Sequence, residues 1–136
     1  MAAPPTFDLN EMKTRMQKSI ASLRDELQDM INRGGFKVFS AEVENALLAN
    51  ADVVDCSVVG VPDAVLGERT FALVQRRTAK LDQDQLRTYL KARIADYKVP
   101  DYWKMVDDPI PRNQNGKQQK AAVRAIAAEV LQEVQR

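Results

Sequence analysis

Val53-Val54-Asp55-Cys56-Ser57-Val58-Val59-Gly60-Val61, followed by Thr70-Phe71-Ala72-Leu73-Val74-Gln75, is the stretch that decides the fold. Both runs are rich in β-branched and apolar residues, the composition of strands. Pro62-Asp63 stops the first run, and Leu66-Gly67-Glu68-Arg69 turns the chain into the second. About eight residues separate them, too few for the crossover helix a parallel pair needs, so the two are expected to pair antiparallel. Upstream, Phe36-Lys37-Val38-Phe39 reads as a short strand and Ser40 as the N-cap of a helix running to about Ala49. Glu42 and Glu44 favour that helix start, and Val43, Ala46, Leu47 and Leu48 are expected to face inward. Downstream, Asp82-Gln83-Asp84-Gln85 begins a helix with Leu86, Tyr89, Leu90 and Ile94 on one face, and Lys98-Val99-Pro100 breaks it. Tyr102–Val106 is a third strand and Lys120–Val134 a last helix. The expected fold is α+β: a small antiparallel sheet of about three strands plus a short hairpin, covered by helices.

Ahead of this unit, Leu9, Met12, Met16, Ile20, Leu23, Leu27 and Met30 are spaced by 3, 4, 4, 3, 4 and 3 residues. That is one face of an amphipathic helix, close to a heptad seam. Glu11, Lys13, Arg15, Lys18, Arg24, Asp25 and Glu26 occupy the other faces. Two readings stand: the stripe packs on the domain behind it, or it pairs with another helix. Arg33-Gly34-Gly35 reads as the C-cap of this helix. The division expected is residues 1–30 as tail and amphipathic helix and residues 31–136 as the folded domain.

Composition narrows the chemistry. The 136 residues suit one domain, and 45% hydrophobic with 29% charged residues is the balance of a soluble globular chain. A net charge of +1 gives no global field for nucleic acid or a membrane surface. Histidine is absent, which excludes serine–histidine and cysteine–histidine catalysis and histidine metal sites. The single cysteine, Cys56, has no disulfide partner in the chain, forms no metal cluster, and is expected as a half-buried strand thiol. No apolar run approaches the ~18 residues of a membrane span, and the first residues lack signal-peptide character. A cytoplasmic location is the default.

Between the third strand and the last helix lies Ile110-Pro111-Arg112-Asn113-Gln114-Asn115-Gly116-Lys117-Gln118-Gln119-Lys120. Proline fixes φ, Asn-Gln-Asn-Gly is turn chemistry, and Gly116 frees the backbone just before a lysine. Lys117 is thereby presented on a tight loop at a helix start, flanked by Arg112 and Lys120. It can lie along an anionic ligand as a point charge with three donors. An ordinary solvated turn with basic residues is the alternative.

Five stretches in order resemble the C-terminal domain of the adenylate-forming superfamily of acyl-CoA synthetases, aryl-CoA ligases and adenylation domains. They are Asp29–Gly35, Phe39–Glu44, Val58–Asp63 with Leu66–Arg69, Tyr97–Pro100, and Ile110–Asn113 through Gly116-Lys117. The resemblance covers about Gln28 to Ala122. It implies a small lid that rotates over a large domain, which binds ATP and a carboxylic acid and makes an acyl-adenylate. By the same resemblance, Lys117 is the catalytic lysine that stabilises charge moving toward the leaving pyrophosphate. Gly34-Gly35 would line the channel for the pantetheine of CoA or a carrier protein, and Gln28 stands at the hinge. Departures accompany the match. The 136 residues hold no counterpart of the ATP-binding domain, and Asp25-Glu26 stands where a Gly-Arg pair precedes the hinge. ATP and CoA are therefore implied only for a complete enzyme, no cofactor is expected tightly bound here, and activity alone is not expected. Two functions follow: a lid that works with an adenylating domain in trans, or a non-catalytic lid-like protein that dimerises or holds a partner through residues 9–30. A fragment cut from a larger enzyme is a third option, against which the missing Gly-Arg pair counts.

Overall fold

The computed structural model describes residues 30–134 together with position 13. The amphipathic stripe, apart from Met30, and the hinge position Gln28 lie outside the described residues. The order is β1 (Met30–Arg33), β2 (Phe36–Phe39), α1 (Ser40–Leu48), β3 (Val53–Asp63), β4 (Gly67–Arg76), α2 (Gln83–Lys91), a 3₁₀ turn (Asp96–Lys98), β5 (Tyr102–Val106) and α3 (Lys120–Val134). This is the expected α+β architecture: three strands plus a hairpin, with helices on the sheet.

Strand β4 is its axis. It pairs antiparallel with β3 from Arg76 opposite Val53 to Gly67 opposite Asp63. On its other edge it meets β1 at Arg33↔Gly67 and β5 from Phe71↔Tyr102 to Gln75↔Val106. The β4–β5 pair is parallel, because the chain between them carries α2 and so has the crossover a parallel pair requires. Strands β3 and β4 do not alternate in polarity through their middles, where Cys56–Val59 and Thr70–Val74 are buried throughout, since both faces of the sheet are covered. Cys56, Val58, Ala72, Val74 and Trp103 pack with Val43 and Leu47 of α1 and Leu86 and Leu90 of α2. On the opposite face Val59, Val61, Phe71 and Leu73 pack with Ile110 and with Val123 and Ala127 of α3. Local signals set the helix ends. Asp82 caps α2 by accepting from the Gln85 amide at 2.8 Å, while the Gln85 side chain accepts from the Asp82 amide at 3.1 Å, a reciprocal capping box.

Four sequence expectations are corrected. Gly34 and Gly35 form the two-residue turn of the β1–β2 hairpin rather than a helix C-cap. Their φ values of 61° and 90° are what a tight hairpin turn of this hand demands at both central positions, and Met30 and Ile31 accordingly lie in a strand. Strand β3 runs on through Pro62 to Asp63. An edge strand tolerates proline, whose missing N–H need not face the partner. Ser40 is the first residue of α1, with Phe39 at the cap position. Leu48, at the last turn of α1, is 46% exposed, one step around the helix from the buried Leu47.

A polar network ties the hairpin to the sheet. Asp101 accepts from Arg33 Nε at 3.0 Å and Nη2 at 2.8 Å and from the Thr70 amide at 3.0 Å. The Asp101 amide in turn donates to the Thr70 carbonyl at 2.8 Å. Arg69 reaches both Asp101, at 3.6 Å, and Asp63, at 2.9 Å. Glu68 accepts from the Asn32 amide at 3.1 Å, and the Gly34 amide donates to the Leu66 carbonyl at 2.8 Å. Burial disfavours the charged form of Asp101, but the hydrogen bonds from Arg33 and Thr70 and the charges of Arg33 and Arg69 outweigh it and hold the carboxyl below its ordinary range.

Two predictions follow from this core. Thr70 is fully buried, and its Oγ1 has no hydrogen-bond partner among the described residues. Thr70→Val keeps the shape and both backbone bonds while removing an unsatisfied hydroxyl, so it should raise unfolding free energy by about 1 kcal/mol, read from urea denaturation. A lower midpoint would show that Thr70 Oγ1 is satisfied in solution. The depressed Asp101 contributes stability that is present above its unfolded pKa of about 3.9 and is lost as pH falls through the lower folded value. Asp101→Asn should cost about 2 kcal/mol at neutral pH and flatten the loss of stability between about pH 5 and pH 2. Parallel pH profiles for the two proteins would place the stabilising charge elsewhere.

Candidate functional site

The lysine loop is built against the free edge of β3. An edge strand leaves alternate backbone groups without a strand partner, and here side chains from the loop and from α1 fill that place. Gln118 Nε2 donates to the Cys56 carbonyl at 2.9 Å, while its Oε1 accepts from Ser57 Oγ at 2.9 Å. Lys120 Nζ donates to the Val58 carbonyl at 2.9 Å and to Glu44 Oε2 at 2.6 Å. The same Glu44 oxygen accepts from the Val58 amide at 2.9 Å. Asp55, the polar interruption of the first apolar run, takes a two-pronged grip from Arg112 at 2.9 and 2.7 Å. Its Oδ1 also accepts from the Cys56 amide at 2.9 Å.

Within the loop the turn residues act as their chemistry suggests. Asn113 Oδ1 accepts from the amides of Asn115 at 2.9 Å and Lys117 at 3.0 Å. The Asn113 amide donates to the Lys117 carbonyl at 2.8 Å, and Gly116, at φ 80°, donates to the Asn113 carbonyl at 3.0 Å. Arg112 Nη1 donates to the Gly116 carbonyl at 2.7 Å, and Arg112 pairs with Gln118 across a single antiparallel bridge. Buried Ile110 anchors the loop's start in the α3-side core.

The three cations of this loop thus divide. Arg112 and Lys120, which the sequence shows only as flanking charge, are bound to Asp55 and Glu44. Lys117 is exposed, and its ammonium has no hydrogen bond or ion pair among the described residues. The roles of Asp55, Gln118 and Glu44 were missed from sequence. A lone acidic residue inside an apolar strand run was the available signal for Asp55; Gln118 and Glu44 carried none. Cys56 is fully buried rather than half-buried. Burial first, then the neighbouring Glu44 and Asp55 carboxylates, push its thiol far up, so it stays protonated and unreactive at neutral pH.

Gly34 and Gly35 sit at the other end of β3. A Cβ on Gly34 would meet Leu66 Cδ2 at 2.9 Å, whereas one on Gly35 would meet nothing within 4 Å. Gly34 is thus packed against the β3–β4 turn and Gly35 is open to approach. The turn that holds them follows Asp63, and the lysine loop docks at Asp55–Val58. At about 3.3 Å per residue, Asp55 to Asp63 spans roughly 26 Å. The structure does not bring Lys117 and the glycine pair together. No helix among the described residues is long and apolar enough to cross a membrane.

Comparison with known proteins bears on the family and the fold. The profile of the AMP-binding enzyme C-terminal domain matches residues 42–117, from α1 to the loop lysine. Triostin synthetase I of Streptomyces triostinicus is 36% identical over 122 residues, covering 89% of this chain and 23% of that protein. The 2,3-dihydroxybenzoate-AMP ligase of Bacillus subtilis is 40% identical over 105 residues, covering 76% of this chain and 19% of the ligase. A solved structure of a fatty acyl CoA synthetase of Mycobacterium tuberculosis superposes with a TM-score of 0.69 at 34% identity, over 74% of this chain and 20% of that one. The chain therefore spans about one fifth of the length of these relatives. Five sequence stretches, the shared fold and a profile spanning most of the sheet agree, and the chain belongs to the C-terminal lid-domain family of the adenylate-forming AMP-binding enzymes.

Proposed function

We propose that this chain acts as the lid of an acid–thiol ligase, supplying Lys117 for adenylation and the Gly34-Gly35 hairpin for thioester formation when joined by a domain that binds ATP and a carboxylic acid. The observation that carries this reading is the division of cations in the loop: Arg112 and Lys120 are spent on Asp55 and Glu44, and Lys117 is left exposed and unpaired among the described residues. An ammonium carried on a pinned backbone, with no partner among the described residues, suits an anionic ligand that arrives from outside. Set between the acid's carboxylate and the α-phosphate, it would stabilise the charge that develops as the acid oxygen attacks and pyrophosphate leaves. It transfers no proton. At the other end of β3, the open backbone at Gly35 lets a slender pantetheine arm pass close to the main chain.

A second reading has its own observation, the helical spacing of Leu9, Met12, Met16, Ile20, Leu23 and Leu27 ahead of the domain. In this reading the chain is a non-catalytic lid-like protein that dimerises or holds a partner through residues 9–30.

Two measurements separate these readings. The full chain, added to the Bacillus subtilis 2,3-dihydroxybenzoate-AMP ligase lacking its matching segment, should restore exchange of pyrophosphate into ATP that depends on 2,3-dihydroxybenzoate. Lys117→Ala should then lower that rate about 100-fold, while unfolding free energy moves by no more than about 0.5 kcal/mol. No restoration, or full restoration by Lys117→Ala, would remove the catalytic role. Light scattering on the full chain and on a version starting near Asp29 tests the second reading. A dimer that becomes a monomer on truncation supports assembly through the stripe, and an unchanged monomer rules it out.

A further inference from the structure

We infer that Arg112 and Asp55 are positioning residues for Lys117, an inference that rests on the reading of Lys117 as the adenylation cation. The geometry around one peptide unit carries it. The carbonyl of Gly116 and the amide of Lys117 belong to the same planar group. Arg112 Nη1 holds that group by its oxygen at 2.7 Å, and Asn113 Oδ1 holds it by its nitrogen at 3.0 Å. The next carbonyl, that of Lys117, accepts from the Asn113 amide at 2.8 Å. The backbone of Lys117 is therefore pinned on both sides while its side chain stays free, which sets the direction in which the ammonium leaves the loop.

Arg112 can do this only because it is itself fixed. Its Nε and Nη2 are taken by the two oxygens of Asp55 at 2.9 and 2.7 Å, and Asp55 stands on β3 with an oxygen on the Cys56 amide. The guanidinium is a rigid bracket from the sheet to the peptide before Lys117. A lysine at position 112 has no planar fork and cannot span Asp55 and the Gly116 carbonyl in one orientation. The far end of the loop has separate supports in Gln118 and Lys120, so losing the bracket frees the tip without undocking the loop. The pair is also partly solvated, with Arg112 and Asp55 side chains 37% and 18% exposed, and such a pair adds little to global stability.

The test uses Arg112→Lys and Asp55→Asn in the full chain, with two readouts. Amide hydrogen exchange followed by NMR should show the Lys117 and Gly116 amides exchanging about 10-fold faster, while the β3 and β4 amides keep their protection. In the pyrophosphate exchange assay with the truncated ligase, kcat should fall about 10-fold with KM for ATP unchanged. Unaltered exchange at Lys117 would overturn the inference, and so would faster exchange throughout β3 and β4, which would make the pair a general support of the sheet. A slower kcat shared by both variants, with an intact core, supports it. Should Lys117→Ala itself leave kcat unchanged, the catalytic reading falls, and exchange at Lys117 still decides whether the bracket fixes the loop.

Discussion

The unpaired edge of β3 is the constraint on which the rest of the molecule depends. A strand with a partner on one side only must satisfy its outward N–H and C=O groups in some other way or leave them as a template for aggregation. Here the order along the edge is the order along the chain: Arg112 at Asp55, Gln118 at Cys56 and Ser57, Lys120 at Val58. Glu44 closes the row from the other layer, accepting from Val58 and from Lys120 together. One row of contacts thus blunts the edge, docks the lysine loop and sets the first turn of α3 over its face of the sheet. It also joins the two helical layers, since Glu44 belongs to α1 and Lys120 to α3.

This row explains why a cation begins α3, where the helix dipole disfavours positive charge. Lys120 is held at 2.6 Å from a carboxylate, and the local attraction to Glu44 outweighs the dipole's repulsion. It also explains the depth of Cys56. The thiol lies beneath the row, and its Sγ donates a weak hydrogen bond to the Glu44 carbonyl at 3.6 Å, so the residue is a small buried group with its one donor satisfied.

Much of this was legible in the sequence where the signal was local. The run Val53–Val61 and its partner announced a pair of strands, and Asp82-Gln83-Asp84-Gln85 announced a helix start. The turn chemistry of Asn113 and Gly116 likewise announced a tight loop before a helix. What failed was local chemistry with two meanings. A Gly-Gly pair ends a helix or turns a hairpin, and because Met30 is in phase with the helical stripe, the sequence favours the first meaning. Proline ends a strand unless the strand is at an edge, and edge status is a property of the whole sheet. The parallel placement of β5 was implicit in the helix-bearing connection between Arg76 and Tyr102. Contacts such as Asp55 with Arg112, 57 positions apart, leave no periodic trace, and only the oddity of an acid within a valine-rich run hinted at one.

The two ends of β3 hold different elements. Lys117 is bracketed to the Asp55 end, and the glycine hairpin is tied to the Asp63 end by Leu66, Glu68 and the Asp101 network. Both are therefore fixed to one strand that is hydrogen-bonded to β4 from Val53 to Asp63 and packed on both faces. Close-packed interiors transmit displacement instead of absorbing it, so neither element can shift toward the other without breaking the sheet. The roughly 26 Å between the two ends exceeds what any lysine side chain can span. On the proposed reading, a substrate that meets first Lys117 and then Gly35 meets them one at a time, and the exchange needs the whole domain to turn as a body. On that reading the stiffness of the sheet makes the two elements alternatives, and the side-chain row on β3 supplies part of that stiffness.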